Sequence, residues 1–248
     1  MSDAALATME AELIGKVLHL VDQIEEKTQR LHAAVARGLP FLPPPMRMQA
    51  TGAWQEFCDE MTNYWNFWRD VFANMGSPSQ LKTIAYTWSD RVGSPVSSQV
   101  QAVDAGQLTV DDNWDGDAAK AYRDLLPAQK DALTQIKATL TDAIGDSLNS
   151  IADAIRVFWG TMIATCVPLV GGLIGAIGAS GTIIGIPAAV VAVLGAVITA
   201  SIGMNIAIAM LKSSSESASS KLRQKLGEDT AFGGGQWPPT ATGGPPLR

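Results

Sequence analysis

Covalent or metal chemistry in this chain would have to start from two cysteines and two histidines. Cys58 and Cys166 form no Cys-x-x-Cys pair, so they give neither a zinc site nor a disulfide framework and are read as free thiols. His19 and His32 share one polar-rich stretch without metal-ligand spacing, and neither lies near a serine or cysteine elbow. Asp111-x-Asn113-x-Asp115-Gly116 matches the opening of a calcium-binding loop, whose twelfth position should be a bidentate glutamate. Here it is Tyr122, and the eighth position is Ala118. Those acids are better read as the start of a helix, with Asn113 or Asp112 capping and Asp115 and Asp117 favourably placed in the first turn. With no nucleophile-base pair, phosphate loop or metal set, the expectation is a non-enzyme without catalytic residues, metal or cofactor.

The balance of the chain points away from chemistry and toward surfaces. Its 248 residues are 47% hydrophobic and only 17% charged, against about 25% in ordinary globular domains. A net charge of −6 argues against nucleic acid as a partner. The amino terminus lacks a basic segment and an unbroken apolar one, so it does not read as a conventional signal peptide.

Charge distribution says more than charge total. Residues 157–211 contain no Asp, Glu, Lys or Arg, a run well beyond the ~20 apolar residues that span a bilayer. Gly178-Ala179-Ser180-Gly181 offers a turn near its middle. The pattern predicts two spans, at 157–178 and 183–211, joined as a hairpin, the first ~33 Å long at 1.5 Å per residue. Small residues recur at four-residue spacing: Gly171 with Gly175, Gly181 with Gly185, and Gly195, Thr199, Gly203 and Ala207. In lipid, such rows let helix backbones approach closely and are candidate packing faces. Pro168 and Pro187 should kink the spans. Asn205 could line a wet interior or hydrogen-bond across a helix interface. Arg156 before the hairpin and Lys212, Lys221, Arg223 and Lys225 after it place both termini in the cytoplasm by the positive-inside rule. The alternative is a Gly/Ala-rich hairpin buried inside a soluble helical protein.

The remaining segments read as amphipathic helices. Leu6, Met9, Leu13, Val17, Leu20, Ile24, Leu31 and Val35 form a coiled-coil-like seam over residues 1–38, which Gly38 and the Pro40, Pro43, Pro44, Pro45 cluster should end. After a short linker, residues 50–76 carry Trp54, Phe57, Met61, Tyr64, Trp65, Trp68 and Phe72 at helical spacing, which is a packed core face rather than a ligand box. Residues 77–156 hold two long arms. Leu81, Ile84, Trp88 and Val92 line the first, bent at Gly93-Ser94-Pro95. Tyr122, Leu126, Leu133, Ile136, Leu140, Ile144, Leu148, Ile151, Ile155 and Phe158 line the second, with a bend expected at Pro127. A polar helix over 212–227 and an unstructured tail over 228–248, where Trp237 is a lone aromatic, complete the chain. The fold class is therefore all-α: a long antiparallel helical hairpin, flanking amphipathic helices and a hydrophobic helical hairpin that is a candidate transmembrane one.

Pro78, Leu81, Ala85 and Trp88, followed by Trp114-Asp115-Gly116-Asp117-Ala118-Ala119-x-x-Tyr122, resemble the W-x-G helical-hairpin proteins of actinobacterial type VII (ESX) secretion, over about residues 77–158. The residue types suit that setting: glycine permits a tight crossover, paired alanines let the arms pack closely, and Trp114 supplies a large amphipathic anchor. The resemblance implies pairing with a similar hairpin into a four-helix bundle, with Trp88, Trp114, Gly116 and Tyr122 in assembly, and recognition by the type VII machinery. It also implies a Tyr-x-x-x-Asp/Glu signal after the bundle. This chain departs there, since Tyr122 has Leu126 at the fourth position and the one match, Tyr86 with Asp90, lies in the first arm.

The functional expectation is a membrane-interacting, non-enzymatic helical protein at the cell membrane, or secreted by a type VII route. It assembles as a homo-oligomer or as a hetero-dimer with another helical-hairpin protein, and inserts its apolar hairpin in lipid as anchor or pore. The alternative is a soluble secretion adaptor or toxin-associated partner, its hairpin shielded by another chain.

Overall fold

The computed structural model describes residues 3–103, 115–228, 230–232 and 235–239. Among them the fold is all-α, as the patterning predicts. The elements are α1 (Asp3–Gly38), a 3-10 turn (Leu39–Phe41), α2 (Pro44–Ala73), α3 (Pro78–Trp88), a π-helical segment (Ser89–Gly93) and α4 (Ser94–Ala102). After the W-x-G region come α5 (Asp117–Ile136), a second π-helical segment (Lys137–Asp142), α6 (Ala143–Ala179) and α7 (Ile186–Leu226). The chain divides into two compact units, one of residues 1–79 with 153–213 and one of residues 80–152 with 214–248.

The first unit packs α1 and α2 against the apolar parts of α6 and α7. In α1 the buried positions are Leu6, Val17, Val21, Ile24, Leu31 and Val35, close to the expected seam; Met9 is 43% exposed and Val21 joins in its place. α2 buries Ala50, Phe57, Met61, Tyr64 and Trp68, so its aromatic face is core. Trp68 stacks on Phe72 at 5.2 Å, and edge-on contacts join Tyr64 to Trp65 and Trp68. Each large side chain removed from water contributes about 1.5–3 kcal/mol, so this aromatic face is a substantial part of what holds the unit together.

α2 begins earlier than the aromatic spacing indicates. Pro44 and Pro45 occupy its first turn, where a missing N–H costs nothing and a fixed φ is already helical. The proline cluster that ends α1 therefore also starts α2. Arg47 holds the turn between them, donating from Nη2 to the Pro40 and Leu42 carbonyls at 2.6 and 3.0 Å.

At the start of α3, Glu10 of α1 acts as a cap supplied from another helix. Its Oε2 accepts from the Ser79 N–H at 2.8 Å and from the Ser77 hydroxyl at 3.2 Å. Burial pushes the Glu10 carboxyl up. Hydrogen bonds from the Ser79 side chain and backbone and from Ser77, with Arg156 nearby, outweigh burial and hold it below its ordinary range.

The second unit contains the two arms. α4 lies along α5 and the two π-helical segments lie against each other, so the arms run antiparallel. The bend expected at Gly93-Ser94-Pro95 takes the form of a π-helical segment before Ser94. Buried Gly93 faces Thr141 of the other segment, whose hydroxyl donates back to the Lys137 carbonyl at 2.7 Å. α5 continues through Pro127, and the departure from α-geometry falls at 137–142 instead. The N-cap position of α5 is Gly116, with φ of +101°, a left-handed conformation that other residues rarely adopt. Asp117 lies in the first turn as expected, whereas Asp115 precedes the cap and so falls outside that turn; Asn113 and Asp112, the expected capping residues, lie outside the described residues.

Within the segment read as an unstructured tail, the described residues 228, 230–232 and 235–239 make contacts with α5. Gln129 donates from Nε2 to the Pro238 and Pro239 carbonyls, both at 3.2 Å, and its Oε1 accepts from Trp237 Nε1 at 2.5 Å. Gln135 donates to the Glu228 carbonyl and accepts from the Ala231 N–H. Two glutamines of α5 thus hold the described part of the tail along that helix.

Candidate functional site

The site most different from an ordinary helical core is the hairpin of α6 and α7. Phe158, Met162, Cys166, Leu169, Leu173 and Ala176 make the buried stripe of α6; Ile186, Ala189, Val190, Val193, Val197, Ala200, Met204 and Ala207 make that of α7. Apart from the adjacent Ala189 and Val190, both step by three or four residues, as a helix with one covered face requires. The opposite faces are apolar too. Val167, Ile174, Ile202 and Ile206 are each more than half exposed, and 33% of the most apolar stretch of each helix is buried. Two helices are therefore long and apolar enough to cross a membrane.

The covered faces are sealed by α1 and α2. Tyr64 of α2 reaches Cys166 of α6, with hydroxyl and thiol 3.5 Å apart in the core. Burial first, and the Cys166 thiol second, push the Tyr64 hydroxyl above its ordinary range, so it stays neutral. Trp68 and Trp159 are 1% and 2% exposed. A cavity of about 270 Å³ between α2 and α7 is lined by Glu60, Asn63, Ser201 and Asn205, which gives Asn205 polar neighbours on α2.

The small residues divide into two sets. Between α6 and α7 the close approaches are at Gly172, where a β-carbon would lie 2.8 Å from that of Ala196, and at Gly203, where it would lie 2.9 Å from Thr165 Oγ1. Gly203 was expected at a helix contact; Gly172 was not, because it falls outside the four-residue rows. Gly171, Gly175 and Gly195 are exposed, and a β-carbon on any of them would meet nothing within 4 Å. Gly181 and Gly185 lie in the connector between Ala179 and Ile186, so they form no helix face and the second helix starts three residues later than expected. Gly185 is needed there because a β-carbon would overlap the Ala179 carbonyl.

Of the residues taken from the family resemblance, Trp114 lies outside the described residues, as do Asp111, Asp112 and Asn113. Gly116 is exposed at the start of α5, and Tyr122 and Trp88 are half-buried. Trp88 Nε1 is buried with no acceptor among the described residues. Tyr86 is 70% exposed on α3, and Asp90 is exposed one turn later in the π-helical segment. No group of three or more His, Cys, Asp or Glu side chains is placed to hold a metal among the described residues.

No protein-family model, curated protein or solved structure matches the chain.

Proposed function

We propose that this protein is a non-enzymatic membrane-inserting helical protein whose working part is the α6–α7 hairpin. The observation that carries this reading is the apolar outward face of both helices, in a run without a single charged side chain. Branched aliphatics standing half in water are unfavourable; in hydrocarbon they are the lowest-energy choice. Exposed Gly171, Gly175 and Gly195 supply a face on which a second copy can pack closely in lipid, which supports an oligomeric anchor or pore.

Such a protein needs a form that survives in water before insertion, and α1 with α2 suits that role. Their outer faces carry exposed Glu12, Lys16, Asp22, Glu25, Glu56, Asp59, Arg69 and Asp70, which a bilayer core would reject. Insertion therefore separates α1 and α2 from the apolar hairpin. Export by a type VII route rests on the W-x-G-like arms and on the exposure of Tyr86 and Asp90, the candidate signal.

Incubation with liposomes followed by a carbonate wash tests the reading. Retention of the protein in washed vesicles is the expected result, and dye release from the same vesicles separates pore from anchor. Recovery of all protein in the wash would overturn insertion and favour a soluble adaptor.

A further inference from the structure

We infer that the end of the first unit where α1 turns into α2 is a landing surface for anionic phospholipid. The inference rests on the membrane-inserting reading above and adds the lipid class and the point of first contact.

Several observations place the surface. Gly38, the last residue of α1, sits against Ile186, the first of α7, so closely that a β-carbon would overlap Ile186 Cδ1. The α1–α2 turn and the α6–α7 connector are therefore neighbours at one end of the unit. Between them opens a cavity of about 700 Å³, with Arg30 and Arg37 on one wall and Ile177, Ile183 and Ile186 on the other. That pairing of guanidinium and aliphatic surface fits an amphiphile with a negative head. Phe41, which lines the cavity, is 72% exposed, and outward apolar side chains recur on the elements that meet there, with Met48 early in α2 at 77% exposure and Ile184 in the connector at 81%. Single exposed apolar residues are ordinary; Ile183 and Ile184 together in an uncharged connector, with Phe41 in the neighbouring turn, form a group that is not.

Charge supplies the independent observation. The protein as a whole carries −6, yet residues 27–55 contain Lys27, Arg30, Arg37 and Arg47 and no Asp or Glu. The neighbouring connector belongs to the run 157–211, which has no charge at all. The flanking acids are Glu56 and Glu26, and Glu26 pairs with both Lys27 and Arg30, which leaves Arg37 and Arg47 without a carboxylate within the stretch. A basic end on an acidic protein is complementary to an anionic surface and orients the molecule toward it. The headgroups then hold the arginines of α1 and α2 while the uncharged connector, between Ala179 and Ile186, enters the hydrocarbon first.

Flotation of the full chain with two vesicle compositions, phosphatidylcholine alone and phosphatidylcholine with a third phosphatidylglycerol, tests the surface. Wild type should bind the anionic vesicles at least tenfold more tightly, and the preference should fade in high salt. The double variant Arg30→Gln/Arg37→Gln changes exposed side chains and should keep wild-type helicity while losing roughly tenfold or more of the anionic preference. Lys221→Gln/Arg223→Gln removes the same charge from the second unit and should bind as wild type does. Phe41→Ser/Ile184→Ser should keep the preference but lose the salt-resistant fraction. Equal binding to both compositions, with carbonate-resistant insertion, would overturn the landing surface and leave the membrane reading standing. Equal losses in the two charge variants would also overturn it, since the attraction would then be general. Absence of binding to either vesicle would overturn both readings, and would leave an acidic protein as the partner of the basic end.

Discussion

Gly171 and Gly172 are neighbours in sequence with opposite surroundings, and they make opposite predictions. Gly172→Ala places a methyl 2.8 Å from the Ala196 methyl and should cost about 1–3 kcal/mol through overpacking. Gly171→Ala adds a methyl to an exposed helical position with nothing within 4 Å and should gain up to about 1 kcal/mol from helix propensity. Thermal unfolding of the two variants should move in opposite directions; shifts of the same sign would mean that α6 and α7 do not meet at Gly172. Glu10 gives a second residue-scale prediction, tied to pH. Its carboxyl is held below its ordinary value, so its contribution is fully present at neutral pH and disappears as pH falls through the lowered folded value. Glu10→Gln should lose about 1 kcal/mol at pH 7, the usual worth of a helix cap. The gap between the melting temperatures of variant and wild type should close on acidification below the ordinary 4.5. A gap that stays constant to low pH would remove the carboxylate from the account of the cap.

At the scale of elements, long-range glutamine contacts involve a segment that local composition alone cannot place. Glycines and proline pairs make residues 228–248 read as unstructured, because such composition buries little apolar surface. Gln129 and Gln135 supply partners from far away in sequence, and a single chain gives no local sign of which polar residues will do so. Chymotrypsin should cut slowly at Phe232 and Trp237 in wild type, and about fivefold faster in Gln129→Ala/Gln135→Ala, as loss of about 1 kcal/mol of hydrogen bonding predicts. Equal cleavage rates would show that the tail is held otherwise. Helix ends follow the same division. Pro44 and Pro45 were legible as breakers but not as the first turn of α2, since proline serves both purposes and the neighbours settle which. The bend near Gly93 was legible from Gly-Ser-Pro; its π-helical form, set against Thr141, was not. Periodicity identified the seam of α1 and the core face of α2 because one covered side at 3.6 residues per turn leaves that trace whatever it packs against.

At the scale of the molecule, the apolar hairpin raises a solvation problem that the fold answers on one side only. Burying Trp68, Trp159, Tyr64, Phe57, Ile24 and Leu31 in one interface stabilises the first unit in water. The other side of the hairpin keeps Val167, Ile174, Ile202 and Ile206 outward. On the proposed membrane-inserting reading, the charged cover on one face is exchanged for lipid while the aliphatic residues on the other side meet lipid directly. That is why the landing surface, at the end where cover and hairpin meet, matters to how insertion would begin. The sequence by itself determined the all-α class, the uncharged run and its turn, and the amphipathic stripes, because these follow from local periodicity and from the cost of charge in apolar surroundings. Only the tertiary structure decided that α1 and α2 cover the hairpin, that Gly172 rather than Gly171 is the close contact, and that Arg30, Arg37 and Ile183 line one cavity. Those are long-range pairings, selected by the burial of whole faces against one another, and no residue carries a mark of its distant partner.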